Sequence, residues 1–152
     1  MIPLFAAEKT LGKLAKWLRL LGFDTLYKPE IATQKFIEKL GSDRTLLTRT
    51  QRIRKQSLRF KSIFVQSDHW SAQLKQVILE LGLTADQTRP FTRCLNCNVP
   101  IVGAEKNSVR GRVPDYIFET HEHFHRCPKC NRLYWPGTHA KRSLEKIRQF
   151  FN

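Results

Sequence analysis

Apolar and polar positions switch between two periods along the first eighty residues, and the switches mark out four strand–helix pairs. Residues 2–7 form a short apolar run, long enough for a buried strand and too short for a helix. From Thr10 the spacing changes. Leu11, Leu14, Ala15, Leu18 and Leu21 fall on one helical face, Lys13, Lys16 and Arg19 on another, and Gly22 supplies the stop. Residues 23–27 read as a second strand ended by Pro29, followed by a helix capped by Thr33 with Phe36, Ile37 and Leu40 inward. Residues 45–48 make a third strand and a polar, basic helix spans about 50–57. Residues 62–65 make the fourth strand. Ser67 or Asp68 then caps a helix striped by Leu74, Val77, Ile78 and Leu81, before Gly82.

This alternation predicts an α/β fold, a mainly parallel sheet flanked by helices. Ligands of such sheets gather at the carboxyl ends of the strands, which points to Glu8, Asp24, Pro29, Thr50 and Asp68. The expected organisation is a domain over 1–83, a linker over 84–92, a small module over 93–139, and a C-terminal helix over 140–152. That helix places Leu144, Ile147 and Phe151 on one side, to pack on the module or on the first domain.

The small module contains every cysteine of the chain, as Cys94-Leu95-Asn96-Cys97 and Cys127-Pro128-Lys129-Cys130. Two-residue spacing lets one tight turn present two thiolates to a tetrahedral ion, and the 29 residues between the pairs allow the turns to meet. Four sulfurs leave no open coordination position, so the expected zinc is structural. The alternative is two disulfides. The opening Met1-Ile2-Pro3-Leu4-Phe5-Ala6-Ala7-Glu8 lacks the basic region of a secretory signal, which predicts a cytoplasmic, intracellular chain and disfavours disulfides.

Charge adds a partner class. The net charge is +14, and residues 1–90 carry 16 basic and 8 acidic groups against 11 and 5 in the remainder, so the charge is not a basic tail. The densest run, Arg44 to Ser67, contains Arg49, Arg52, Arg54, Lys55, Arg59 and Lys61 and no acid. With Lys13, Lys16 and Arg19 these residues are the candidate RNA-binding set. The other reading is a generally basic, solvated surface. No apolar run approaches the roughly 20 residues that span a bilayer, so no membrane partner is expected.

Three stretches resemble one known family in order and spacing over nearly the whole chain. They are Leu11-Gly12-Lys13-Leu14-Ala15-Lys16-Trp17-Leu18-Arg19-Leu20-Leu21-Gly22-Phe23-Asp24-Thr25, then Leu46-Leu47-Thr48-Arg49, then Cys127-Pro128-x-Cys130-x-Arg132-x-Tyr134-Trp135-Pro136-Gly137-Thr138-His139. They are similar to the Mut-seven C-terminal RNase family. The resemblance implies a PIN-like nuclease fold with an appended zinc ribbon, and carboxylates that hold magnesium or manganese to cleave RNA. Position by position, the family's first aspartate is Glu8, its acidic pair falls near Thr33 and Gln34, and the aspartate after Leu-Leu-Thr-Arg is Thr50. Only Asp24 and Asp68 stand as the pattern has them, while Asp43 precedes its strand at the opposite edge. The candidate catalytic set is therefore Glu8, Asp24 and Asp68. Each missing carboxylate removes a charged ligand, and the remaining acids are expected to pair with Arg49 and Arg52 rather than hold magnesium or manganese.

Three functions follow: an RNA-binding protein on a degenerate nuclease scaffold, as a subunit or factor of a larger ribonucleoprotein; a working metal-dependent endoribonuclease; and a basic module that docks an acidic protein. Among single residues, His121, His123 and His125 share a face if they lie on a strand, as a second metal site or a solvated edge. His139 is expected to make a structural hydrogen bond, Trp17 and Trp135 to pack in the core or between domains, and Trp70 to be available for base stacking.

Overall fold

The fold is that of a computed structural model, which describes residues 1–56 and 59–151; the end of the helix expected over 50–57 and the last residue of the C-terminal helix lie outside the described residues. Four strands, β1 (Leu4–Ala7), β2 (Thr25–Tyr27), β3 (Arg44–Thr48) and β4 (Ser62–Phe64), form a parallel sheet in the order β2-β1-β3-β4. The connecting helices are α1 (Gly12–Leu20), α2 (Thr33–Glu38), α3 (Gln51–Arg54) and α4 (Trp70–Leu81). The chain runs outward from β1 to β2 and then crosses to β3 on the other side, so the topological switch lies between β1 and β3.

Side chains alternate across the pleat and sort the helices into two layers. Phe5, Ala7, Leu47 and Ile63 pack with Leu14 and Leu18 of α1 and Leu74 and Ile78 of α4. Ala6 and Leu46 face the other way, onto Phe36 and Ile37 of α2 and Ile53 of α3. Two expected caps fall elsewhere. Thr33 lies inside α2, behind Ala32, and α4 is capped by His69, whose Nδ1 accepts from the Ser71 N–H at 3.4 Å. Ser67 instead accepts from the His69 N–H.

The segment expected as a linker is an ordered strap. The N–H groups of Arg89 and Phe91 donate to the carbonyls of Leu21 and Leu20 at 2.8 and 3.0 Å, satisfying the last turn of α1. Gly22 permits this twice over: its φ is +94°, and a Cβ would stand 2.5 Å from the Arg89 carbonyl oxygen. Beyond the strap, β5 (Val102–Ala104), β6 (Phe124–Arg126) and β7 (Leu133–Tyr134) make a three-stranded antiparallel sheet. With α5 (Asp115–Thr120) it encloses a small core of Val109, Val113, Ile117 and Phe124.

The last helix, α6 (Thr138–Arg148), starts two residues earlier than its pattern suggests and returns to the parallel sheet. Leu144 and Ile147 join the main core, and Phe150 and Phe151 pack against it. Two such buried aliphatics contribute about 3–6 kcal/mol to docking. No helix among the described residues is long and apolar enough to cross a membrane.

Candidate functional site

The two cysteine turns are built alike. In the first, the Cys94 N–H donates to the Val99 carbonyl and the Asn98 N–H to the Cys94 carbonyl. In the second, Cys127 and Asn131 repeat that pattern with Arg132 as the outer partner. The residue after each pair, Asn98 or Asn131, has φ of 64°, a left-handed conformation that asparagine tolerates better than other non-glycine residues. The first sulfur of each pair is bathed in N–H groups. Cys94 Sγ accepts from Cys97 at 3.3 Å, and Cys127 Sγ accepts from Lys129 at 3.3 Å and Cys130 at 3.4 Å.

These turns bring the four sulfurs within 4.8 Å of one another, with Cys94 and Cys130 at 3.8 Å. A tetrahedral ion bound at about 2.3 Å separates its sulfurs by about 3.8 Å, so the cluster could hold a metal such as zinc. Burial raises the Cys127 thiol, but the Cys130 and Lys129 amides and the neighbouring thiols outweigh it and bring it down to about 7. Cys97 lacks that support and is pushed up to about 11 by burial. Tyr134 completes the surroundings, its hydroxyl 3.0 Å from Cys94 Sγ while accepting from the Leu95 N–H at 3.1 Å. Burial and the Cys94 sulfur together raise that phenol well above its ordinary range.

At the carboxyl edge of the parallel sheet, Glu8 follows β1 at the topological switch and is 1 % exposed. Its Oε1 accepts from the Arg49 N–H at 2.6 Å and the Thr10 hydroxyl at 3.1 Å, and its Oε2 accepts from the Thr50 hydroxyl at 2.8 Å. Both oxygens are thus engaged by donors from this chain. The expected arginine pairing takes a different form: Glu8 meets the backbone of Arg49, whose guanidinium donates instead to the carbonyls of Val65 and Gln66. Asp68 is exposed in a polar groove beside Thr10, Lys13, His69 and Gln73, with no hydrogen bond or ion pair among the described residues.

Asp24 does not join Glu8. It precedes β2, where the register aligns it with the start of β1, about 13 Å from the carboxyl edge at roughly 3.3 Å per residue. There its carboxylate accepts from Arg44 at 2.9 Å and from Asn98 at 2.7 Å. Desolvation opposes its ionisation, but these two partners hold its carboxyl below the usual range. Asp24 therefore clamps the first cysteine turn to the sheet, assisted by the Thr25 N–H donating to Asn98 Oδ1 at 2.9 Å.

Arg19, expected on the RNA-binding surface, is 5 % exposed and belongs to the same clamp. Its Nε donates to the Thr25 carbonyl at 3.0 Å and one terminal nitrogen to the Leu95 carbonyl at 2.8 Å. Burial lowers its proton affinity, Cys94, Cys97 and Asp24 partly oppose that, and its direct partners among the described residues are backbone carbonyls. Of the rest of the basic set, Arg49 is half-buried and the others are at the surface. Lys13, Lys16, Arg52, Arg54, Lys55, Arg59 and Lys61 are all exposed. Arg54 lies over the Phe64 ring and Arg59 donates to the carbonyls of Glu38 and Leu40.

The remaining single-residue expectations divide. Trp17 packs against the main core, but Trp70 is stacked on it with ring centres 4.5 Å apart, which covers one face of the indole. Trp135 packs edge-on to Phe124. The three histidines form no metal cluster among the described residues: His121 caps α5 and packs on Phe124, whereas His123 and His125 line one hollow, His125 in β6 opposite Tyr134. His139 is exposed on the first turn of α6 and its ring has no hydrogen-bond partner among the described residues, against expectation. Sequence reasoning missed Asn98, Asn131 and Tyr134. The repeated Asn after each cysteine pair was the available signal.

The profile of the Mut7-C RNAse domain family matches residues 3–147, nearly the whole chain. Comparisons with curated proteins and with solved structures returned no match.

Proposed function

The chain belongs to the Mut7-C RNAse domain family, and from that membership we propose that it is an RNA-binding protein whose nuclease site has degenerated. In this reading residues 1–83 form a PIN-like domain and 93–139 a zinc ribbon, and the protein serves a larger ribonucleoprotein. The observation that carries it is Glu8. A carboxylate that is to bind magnesium or manganese must offer lone pairs to the ion. Here Arg49, Thr10 and Thr50 supply three donors to its two oxygens, and Thr50 stands where the family pattern has an aspartate. Asp24 lies at the other edge, and Asp68, exposed in the groove it shares with Thr10, takes no hydrogen bond from any of the three donors that hold Glu8. The described residues group only the four cysteines as a possible metal cluster. The acidic residues therefore do not fit a divalent nuclease ion, and no cleavage step is routed through one.

The cysteines do fit zinc, which would cross-link the two turns. They would then hold the module against Asp24, Thr25 and Arg19. What is left for function is a basic surface. Arg52, Arg54 and Lys55 on and after α3, with Lys61 leading into β4, come from a stretch without acids from residue 44 to 67, and Glu80 of α4 lines the hollow that Arg54 shares with β4. Manganese-dependent cleavage and binding should be measured together on a panel of single-stranded RNAs. Binding whose log–log salt slope is about −4, for about six phosphate contacts, and which charge reversal at Arg52, Arg54 and Lys55 flattens, supports this reading. Robust cleavage abolished by Glu8→Gln with Asp68→Asn would replace it with an active endoribonuclease.

A further inference from the structure

Two adjoining hollows on the face where α1 meets the cysteine turns belong to neither the carboxyl edge nor the α3 patch. One is a cavity of about 200 Å³ walled by Leu20, Phe91, Ile101, Trp135 and Pro136, with Arg93 and His123 among its lining residues. The other is a wider groove of about 520 Å³ that carries Lys16, Arg112 and Arg132 beside Asn96 and Asn131 of the two turns. They share Leu95, Tyr134 and Trp135, so an aromatic wall divides an apolar cavity from a cationic trough.

Resting on the RNA-binding reading, we infer that this face binds single-stranded RNA, with phosphates in the trough and one unstacked base in the apolar cavity beside Trp135. Among the described residues, four Lys or Arg line the two hollows and no Asp or Glu does, which selects a polyanion over a neutral or basic peptide. Lys16 and Arg132 are exposed, and their side chains have no hydrogen-bond or ion-pair partner among the described residues. Arg112 spends one bond on the Asn131 carbonyl. The cavity is smaller than the roughly 300 Å³ at which drug-sized ligand sites begin, so it accepts a single ring but not a whole nucleotide. The sugar and phosphate must then remain outside, where the cations are.

The wall is also held in place before any ligand arrives. Tyr134 is fixed by Cys94 Sγ and the Leu95 N–H, and Trp135 by the Phe124 ring. A fixed aromatic face beside a basic groove is how proteins take single strands without strict sequence preference. The few polar groups in the cavity predict modest selection among bases. The inference also places the metal module in function, because both cysteine turns contribute residues to the trough.

The test is fluorescence anisotropy with a 12-nucleotide RNA and with the same strand carrying abasic sites. The unmodified chain should bind the abasic strand about tenfold more weakly. Ala140→Leu, which fills the cavity from α6, should bind both strands equally, at the abasic affinity. Lys16→Glu with Arg132→Glu should reduce the salt slope by about 1.4, at about 0.7 per single-strand contact. Metal content and circular dichroism check that the variants fold. Independently of any variant, 4-thiouridine in the strand should crosslink to the peptide holding Tyr134 and Trp135. Tight RNA binding that ignores both variants, with crosslinks confined to residues 49–61, overturns this site and leaves the RNA-binding reading standing. A tryptophan-bearing peptide that binds the unmodified chain but not Ala140→Leu, with RNA indifferent, gives the cavity to a protein partner and also overturns it. Absence of any RNA binding removes the broader reading as well.

Discussion

Thr50→Asp restores an acid to the switch point and asks whether the carboxyl edge is a spent metal site. The Thr50 hydroxyl donates to Glu8 Oε2 at 2.8 Å, and Glu8 is 1 % exposed. A hydrogen bond to a charged group contributes about 1.5–3 kcal/mol. The substitution removes that bond and sets a second carboxylate against a buried one, a change of the kind that costs about 3–5 kcal/mol in all. In a chain of this size each kcal/mol moves the melting temperature by about 2–4 °C, so without divalent ions the variant should melt about 6–20 °C below the unmodified protein. Two facing carboxylates can share a manganese ion, and an ion present at a hundred times its dissociation constant returns about 2.7 kcal/mol. Thermal melting with and without manganese should therefore show recovery of about 5–11 °C in the variant and no shift in the unmodified chain. The reasoning is refuted if manganese stabilises the unmodified chain as much as the variant, and Glu8→Gln removes that gain. Glu8 would then be a working ligand whose hydrogen bonds give way to the ion.

Three further outcomes are expected. The purified chain should contain one equivalent of zinc by metal analysis, and a chelator should unfold the cysteine module; Tyr134→Phe should weaken the metal by about 10–100-fold in a competition titration, because it removes the hydroxyl from Cys94 while keeping the ring. Asp24→Asn should lower stability by about 1–3 kcal/mol at pH 7. The folded Asp24 carboxyl ionises below its unfolded range, so its contribution is present above about pH 4 and fades as pH falls through the folded value; melting curves taken downward from pH 5 should show the variant and the parent converging. Arg19→Lys should destabilise by about 2 kcal/mol or more despite keeping the charge, because one ammonium cannot donate along both the Thr25 and Leu95 directions; chemical denaturation measures it, and a neutral result would show that the clamp does not need the fork.

What could be read directly from the chain was whatever depends on near neighbours. The leucines of α1, the stripe of α4 and the short β-rich runs state their periods locally, and four strand–helix pairs leave few topologies for a parallel sheet. Paired cysteines at two-residue spacing likewise contain their own geometry, since one tight turn decides it. The family resemblance flagged Thr50 as a missing acid, and the structure shows the hydroxyl turned into a donor for Glu8.

Tertiary structure decided everything that joins distant segments. Arg19 looks like any surface arginine at its helical position until Leu95, 76 residues away, covers it. Asp24 looks catalytic beside a strand, yet it precedes that strand, and Asn98, 74 residues on, claims its carboxylate. Trp70 could have met a base but met Trp17, and the supposed linker became the cap of α1. The physical reason is common to all of them. Periodicity and turn chemistry are set by bond geometry within a few residues, whereas the burial of a charge or ring depends on which surface folds onto it. Only the closure of the cysteine module and α6 over the parallel sheet supplies that surface.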